Sequence, residues 1–152
     1  MPLTTEVKGL LAAQRKLEQV TRDLQGEDMT RAFRESAMLV TRDAKILAPV
    51  DRGHLKASIT PAVRQRDNVI EGVVGSNVAY APYQETGTRP HWPPLAALET
   101  WARRHGTSAY VVARAIARRG TKGRRYLQGA FEKNRSAIQK RIGRAVNGIV
   151  KK

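Results

Sequence analysis

The sequence predicts an α+β fold: a small antiparallel β-sheet flanked by amphipathic helices, with a long basic helix at the C-terminal end. Three observations carry this expectation. Apolar residues recur at three- and four-residue spacing through most of the chain, only Ser58 to Val74 reads as strands, and positive charge is concentrated in the last third. With 152 residues the chain fits one domain. Its expected parts are an N-terminal helix over 1–26, a core of helix, hairpin and turn over 27–90, a helical insertion over 91–122, and the basic helix over 123–152.

From Thr5 to Gln25, Val7, Leu10, Leu11, Leu17, Val20 and Leu24 mark an amphipathic helix, with Gly26 available as its stop. A second helix takes Asp28 as its cap, carries Met29, Phe33, Ala37, Val40, Ala44 and Leu47 on one face, and ends at Pro49, which cannot continue helical hydrogen bonding. There the chain turns from helix into strand. Ser58 to Gln65 and Asn68 to Val74 then read as a hairpin turned by Asp67 and Asn68, and Pro61 places its strand at an edge. After Gly87 the run RPHWPP is stiff and extended. Leu95, Ala96, Leu98, Trp101 and Ala102 make a short helix stopped by Gly106, and Ser108 caps another from Ala109 to Arg118, closed by Gly120. A glycine-containing linker, GTKGRR, leads to the last helix. There Leu127, Phe131, Asn134, Ile138, Ile142, Ala145 and Ile149 form the expected apolar stripe, with Arg125, Lys133, Arg135, Lys140 and Arg144 on other faces.

The absence of cysteine removes disulfides, thiolate metal sites and cysteine nucleophiles. The start, MPLTTEVKGLLAAQRK, has no basic segment followed by a long apolar run, and nowhere do eighteen apolar residues follow one another, so a soluble protein made in the cytoplasm without a membrane partner is expected. His54, His91 and His105 lack the spacing of a helical zinc site. Asp51 and His54 are close enough in a turn to share a hydrogen bond, but no serine or cysteine with nucleophile spacing accompanies them, so a capping role fits better. Glu85 has no second carboxylate at defined spacing and is read as the structural partner of an arginine. No phosphate-binding glycine loop is present, and no catalytic, metal or cofactor-binding residue is predicted.

The formal charge of +15 is distributed unevenly: residues 1–100 hold 13 Lys and Arg against 12 Asp and Glu, whereas residues 101–152 hold 15 against 1. Such a balance points to nucleic acid or an acidic protein surface as partner. The densest cluster is Arg114, Arg118, Arg119, Lys122, Arg124 and Arg125, whose guanidinium and ammonium groups suit phosphates or carboxylates. Tyr80, Tyr83, Trp92 and Trp101 read as core or interface packing rather than base-stacking platforms, because the basic residues are not interleaved with them in the sequence.

Two blocks remain, APVDRGHLKASI at Ala48 to Ile59 and VGSNVAYAPYQETGTRP at Val74 to Pro90. In the first, Asp51 suits a turn and Gly53 a positive φ before Leu55 and Ile59 resume the apolar pattern; in the second, Gly87 closes a short apolar turn. Their order, followed by GRRYLQGAF and a long final helix, resembles the neck and tail-completion (head to tail joining) family of long-tailed, double-stranded DNA bacteriophages. The resemblance spans roughly Met29 to Lys140 and rests on Pro49, Asp51, Gly53, Leu55, Tyr80, Tyr83, Glu85, Gly87 and Thr88. One departure is the stretch of about thirty residues from His91 to Lys122, where the family pattern runs quickly to a proline-rich segment. The resemblance implies a non-enzymatic virion protein of the phage neck, forming a homo-oligomeric ring of six or twelve copies around the DNA path. Its implied partners are the neighbouring head-closure or adaptor proteins and the tail-terminator or tail-tube proteins, with contact to DNA. The competing readings are a small basic nucleic-acid-binding protein, which explains the charge but not the two blocks, and a hydrolase using Asp51, His54 or Glu85, which lacks a nucleophile.

Overall fold

The structure, a computed structural model, describes residues 8–151. Seven helices and four strands follow one another among them: α1 Lys8–Leu24, α2 Glu27–Leu47, α3 His54–Ser58, β1 Ile59–Arg66, β2 Val69–Ser76, α4 Ala81–Thr86, β3 Gly87–Thr88, α5 Leu95–Arg104, α6 Ala109–Arg119, β4 Thr121–Lys122 and α7 Tyr126–Val150. The fold is α+β, with two small two-stranded antiparallel sheets and a long C-terminal helix. None of the described helices is long and apolar enough to cross a membrane. The first turn expected at Thr5 to Val7 lies outside the described residues.

The chain divides into two compact units. The first takes residues up to Arg42, Thr60–Val74 and Phe131–Lys152. In it α2 buries Met29, Ala32, Ser36, Ala37, Val40 and Thr41, and Gly72 of β2 lies against Phe33 and Ala37, where an added Cβ would make ordinary van der Waals contact. The Ser36 and Thr41 hydroxyls donate to the carbonyls of Ala32 and Ala37, so the two buried polar groups are satisfied inside their own helix. Asp67, at φ 52°, makes the tight turn between β1 and β2. Gln25 and Gln65 tie that hairpin to the end of α1 through Asn68 and the Gln25 carbonyl. Asp28 is not the cap of α2. The helix starts one residue earlier, and Asp28 sits in its first turn, where a carboxylate opposes the exposed N–H dipoles and pairs with Arg31 at 2.6 Å.

The second unit takes Asp43–Ile59 and Gly75–Ala130. Its buried side chains are mostly small, Ala44, Ala48, Ala81, Ala102, Ala113 and Ala130, around Leu55, Ile59 and Tyr126. Alanine-rich faces let backbones approach closely, and α5 packs directly on α6 in this way. Two features here depart from the sequence expectation. Between Pro49 and the first strand the chain makes an extra helical turn, α3, entered through Gly53 at φ 80°. The stretch GTKGRR is not a free linker: Thr121 and Lys122 pair antiparallel with Thr88 and Gly87.

The stripe expected on α7 is also displaced at its start. Tyr126 and Ala130 are fully buried, whereas Phe131 is 52% exposed. Asn134 and Ile149 are buried as expected from the stripe, and among the described residues the Tyr126 hydroxyl has no hydrogen-bond partner. Burial is the main cause that raises the pKa of that phenol, with the charge of Glu85 adding to it. The Phe131→Ala change is therefore expected to cost about 1 kcal/mol or less. Tyr126→Ala is expected to cost about 3–5 kcal/mol, and Tyr126→Phe to be close to neutral, since no hydrogen bond is lost. Thermal denaturation of the three variants checks the ranking; a larger loss at Phe131 than at Tyr126 would contradict it.

Candidate functional site: a motif clasp and a basic face

Every residue of the two sequence blocks singled out above except Val74, and every one of the six clustered basic residues, falls in the second unit. The segment YAPYQETGT forms α4 and β3, and its backbone and side chains receive the chain on its return from the insertion. The Gln84 and Glu85 carbonyls accept the N–H groups of Arg124 (2.8 Å) and Arg125 (3.0 Å). Gly87 and Thr88 pair with Lys122 and Thr121, and the Thr88 hydroxyl lies 3.0 Å from that of Thr121 and accepts its backbone N–H at 3.1 Å.

Glu85 completes this clasp. Its two carboxylate oxygens accept the N–H groups of Leu127 and Gln128, each at 2.9 Å. These are orphan donors of the first turn of α7, so a full negative charge sits where the helix dipole is positive. The partner of Glu85 is thus a helix terminus and not the arginine expected from the sequence. Three glycines make the close approach possible. A Cβ on Gly87 would meet the Thr121 carbonyl oxygen, one on Gly120 the Thr88 carbonyl oxygen, and one on Gly123 the Glu85 carbonyl oxygen. Gly87 and Gly120 also hold φ of 83° and 66°.

The first block is built differently. Leu55 is buried, Pro49 half-buried, and Gly53 has open space where its Cβ would be. Asp51 makes a two-oxygen pair with Arg104 of α5, both contacts at 2.7 Å, and not with His54. The Arg104 guanidinium beside it lowers the Asp51 pKa below 3.8. Tyr80 and Tyr83 are exposed, so they form surface and not core.

All six basic residues of the cluster are exposed. Among the described residues none of them carries a carboxylate partner. Arg114 and Arg118 lie one turn apart on α6, Lys122 on β4, and Arg124 and Arg125 on the approach to α7. The sequence reading missed Tyr110, which shares the exposed face of α6 with Val111, Arg114 and Arg118. The signal was present: 110, 114 and 118 are four apart on a helix, so their side chains stand in one row. Trp92 meets Tyr110 edge to face, with ring centroids 5.8 Å apart, and Trp101 stacks on His105 at 4.0 Å. Among the described residues no three histidine or acidic side chains are grouped to hold a metal ion.

Comparison with known proteins gives a family match. The sequence model of the family described as "Bacteriophage HK97-gp10, putative tail-component" matches residues 12–87, which is half of the chain and includes both motif blocks up to Gly87. No curated protein and no solved structure matches.

Two tests follow from this geometry. Gly87→Ala is expected to cost about 3 kcal/mol, from positive-φ strain plus the collision with Thr121. Gly53→Ala, with strain but open space, is expected to cost only about 1–2 kcal/mol. Chemical denaturation of both variants reads the difference; equal losses would mean that β4 moves aside freely. For Asp51 the folded pKa lies below the unfolded one, so the pair contributes stability above pH 3.8 that is lost as pH falls through the lowered folded value. Asp51→Asn should leave a melting curve less dependent on pH below that point than the parent chain's. A dependence identical to the parent's would show that Arg104 gives Asp51 no stabilising contact in solution.

Proposed function

The chain belongs to the HK97-gp10-like family of bacteriophage tail components, and on that premise we propose that it is a structural, non-enzymatic virion protein of the phage neck that joins the DNA-filled head to the tail. The observation that carries this reading is the family match over 12–87, because it contains PVDRGHLKASI and most of YAPYQETGT, the two blocks on which the resemblance to tail-completion proteins rests.

In this reading the protein works as a ring of six or twelve copies around the DNA path, between head-closure or adaptor proteins and tail-terminator or tail-tube proteins. Support comes from the apolar surface each unit leaves uncovered. In the first unit Leu10, Leu11 and Leu17 of α1 are each more than 60% exposed. In the second, Ile46, Val50, Tyr80 and Tyr83 stand in solvent. Large apolar side chains left in solvent suit a subunit that buries them against its neighbours. Pro49, Asp51, Gly53, Leu55, Glu85, Gly87 and Thr88 shape the joint in this scheme, and Tyr80 and Tyr83 touch a neighbour. Arg114, Arg118, Arg119, Lys122, Arg124 and Arg125 face DNA or an acidic protein surface.

The experiment is electron microscopy of lysates from a phage lacking this protein. DNA-filled heads separate from tails, with loss of infectious particles, are expected. Normally joined, infectious particles would refute the neck assignment, and empty heads would move the role back to packaging.

A further inference from the structure

We propose that the outer face of α6, with Trp92 lying against it, binds a single nucleic-acid strand by stacking its bases on Trp92 and Tyr110 and pairing its phosphates with Arg114 and Arg118. This goes beyond the neck assignment and rests on the insertion alone, all of which lies outside the family match.

The geometry starts with the helix. Ala113 is fully buried and Val112, Ala115, Ile116 and Ala117 are half-buried, so α6 packs through these positions. Tyr110, Val111, Arg114 and Arg118 occupy the opposite arc, all exposed. An apolar aromatic end therefore passes along one helix face into a cationic end, with about 6 Å of rise between Tyr110 and Arg114 and again to Arg118. Successive nucleotides of a strand repeat at a comparable distance, each offering one flat base and one phosphate.

The aromatic end is open to a ligand. Trp92 and Tyr110 meet edge to face, an arrangement that does not use up both faces of either ring, and they remain 53% and 57% exposed. Stacking on such rings is tolerant of base identity, because every base has a π face. Among the described residues neither arginine has an acidic partner to compete with a phosphate, and from Thr88 to Arg125 Glu99 is the one acidic side chain against nine Lys and Arg. A duplex buries its base faces within the stack and presents only its phosphates, so it uses the arginines and leaves the rings idle. An acidic protein surface would likewise use the arginines alone.

The test uses the full chain and two fluorescent probes at ~150 mM salt: an oligothymidylate of about 20 nucleotides and a blunt duplex of the same length. The oligothymidylate is expected to bind at least about tenfold more tightly than the duplex. Tyr110→Leu and Trp92→Leu keep an apolar side chain at exposed positions, and each is expected to weaken strand binding by about fivefold or more while leaving duplex binding within about twofold. Arg114→Gln should weaken both and reduce the salt slope on the strand by roughly 0.7. Thermal melts of the three variants guard against unfolding. Absence of strand binding, equal affinity for strand and duplex, or strand binding unchanged in both aromatic variants overturns the proposal. Any of those results leaves the neck assignment standing, because that is read from joined particles.

Discussion

The carboxylate of Glu85 against the first turn of α7 is the contact on which much of the second unit depends. A helix terminus presents N–H groups that must find acceptors, and here one side chain satisfies two of them at 2.9 Å. The same residue's carbonyl accepts from Arg125, so backbone and side chain of Glu85 together fix where α7 begins. Tyr126, the first residue of that helix, is thereby set into a fully buried position, and the raised pKa of its phenol reflects both that burial and the nearby charge.

The clasp also explains how an insertion of some thirty residues is carried. Loop closure costs only about 0.6 kcal/mol for each doubling of length, so a long excursion is cheap provided that its ends are pinned. The pins are two strand residues on each side, Gly87 with Lys122 and Thr88 with Thr121, reinforced by the threonine hydroxyls. Two-residue strands are too short to be stable by themselves. They persist here because glycine at 87, 120 and 123 lets the two backbones approach where a Cβ could not be placed. The insertion then has its own small core, in which α5 and α6 pack with Ala102 and Ala113 buried.

How much of this was legible depends on the range of the interaction that decides it. Local rules were sufficient for α5 and α6: Ser108 caps through its hydroxyl, and Gly106 and Gly120 take the positive φ that ends each helix. They were sufficient for Gly53 and for the Asp67 turn of the hairpin as well. They failed where the partner is distant in sequence. Nothing local to GTKGRR says that it pairs with Gly87 and Thr88, and nothing local to Glu85 says that its acceptor duty lies at Leu127 and Gln128. The start of α7 failed for another reason. Hydrophobicity ranks Leu127 and Phe131 above Ala130, but the residues fully buried at that start are Tyr126 and Ala130, one turn apart on a different face of the helix. The face of α6 went unread because Tyr110 and the arginines alternate on a helix rather than along the sequence.

The uncovered apolar side chains have a thermodynamic consequence for any assembly of this protein. A Leu or Ile left in water forgoes about 1.5–3 kcal/mol that its burial would contribute, and the described residues leave Leu10, Leu11, Leu17 and Ile46 largely exposed. That free energy is absent from the isolated chain and becomes available only on contact with a neighbour, so association and stability are linked. The charge works in the opposite direction, since bringing copies with a net +15 together is repulsive unless anions intervene. Exposed apolar side chains and a basic third therefore act in opposite directions on any association of copies, and anions that screen the charge shift that balance toward association.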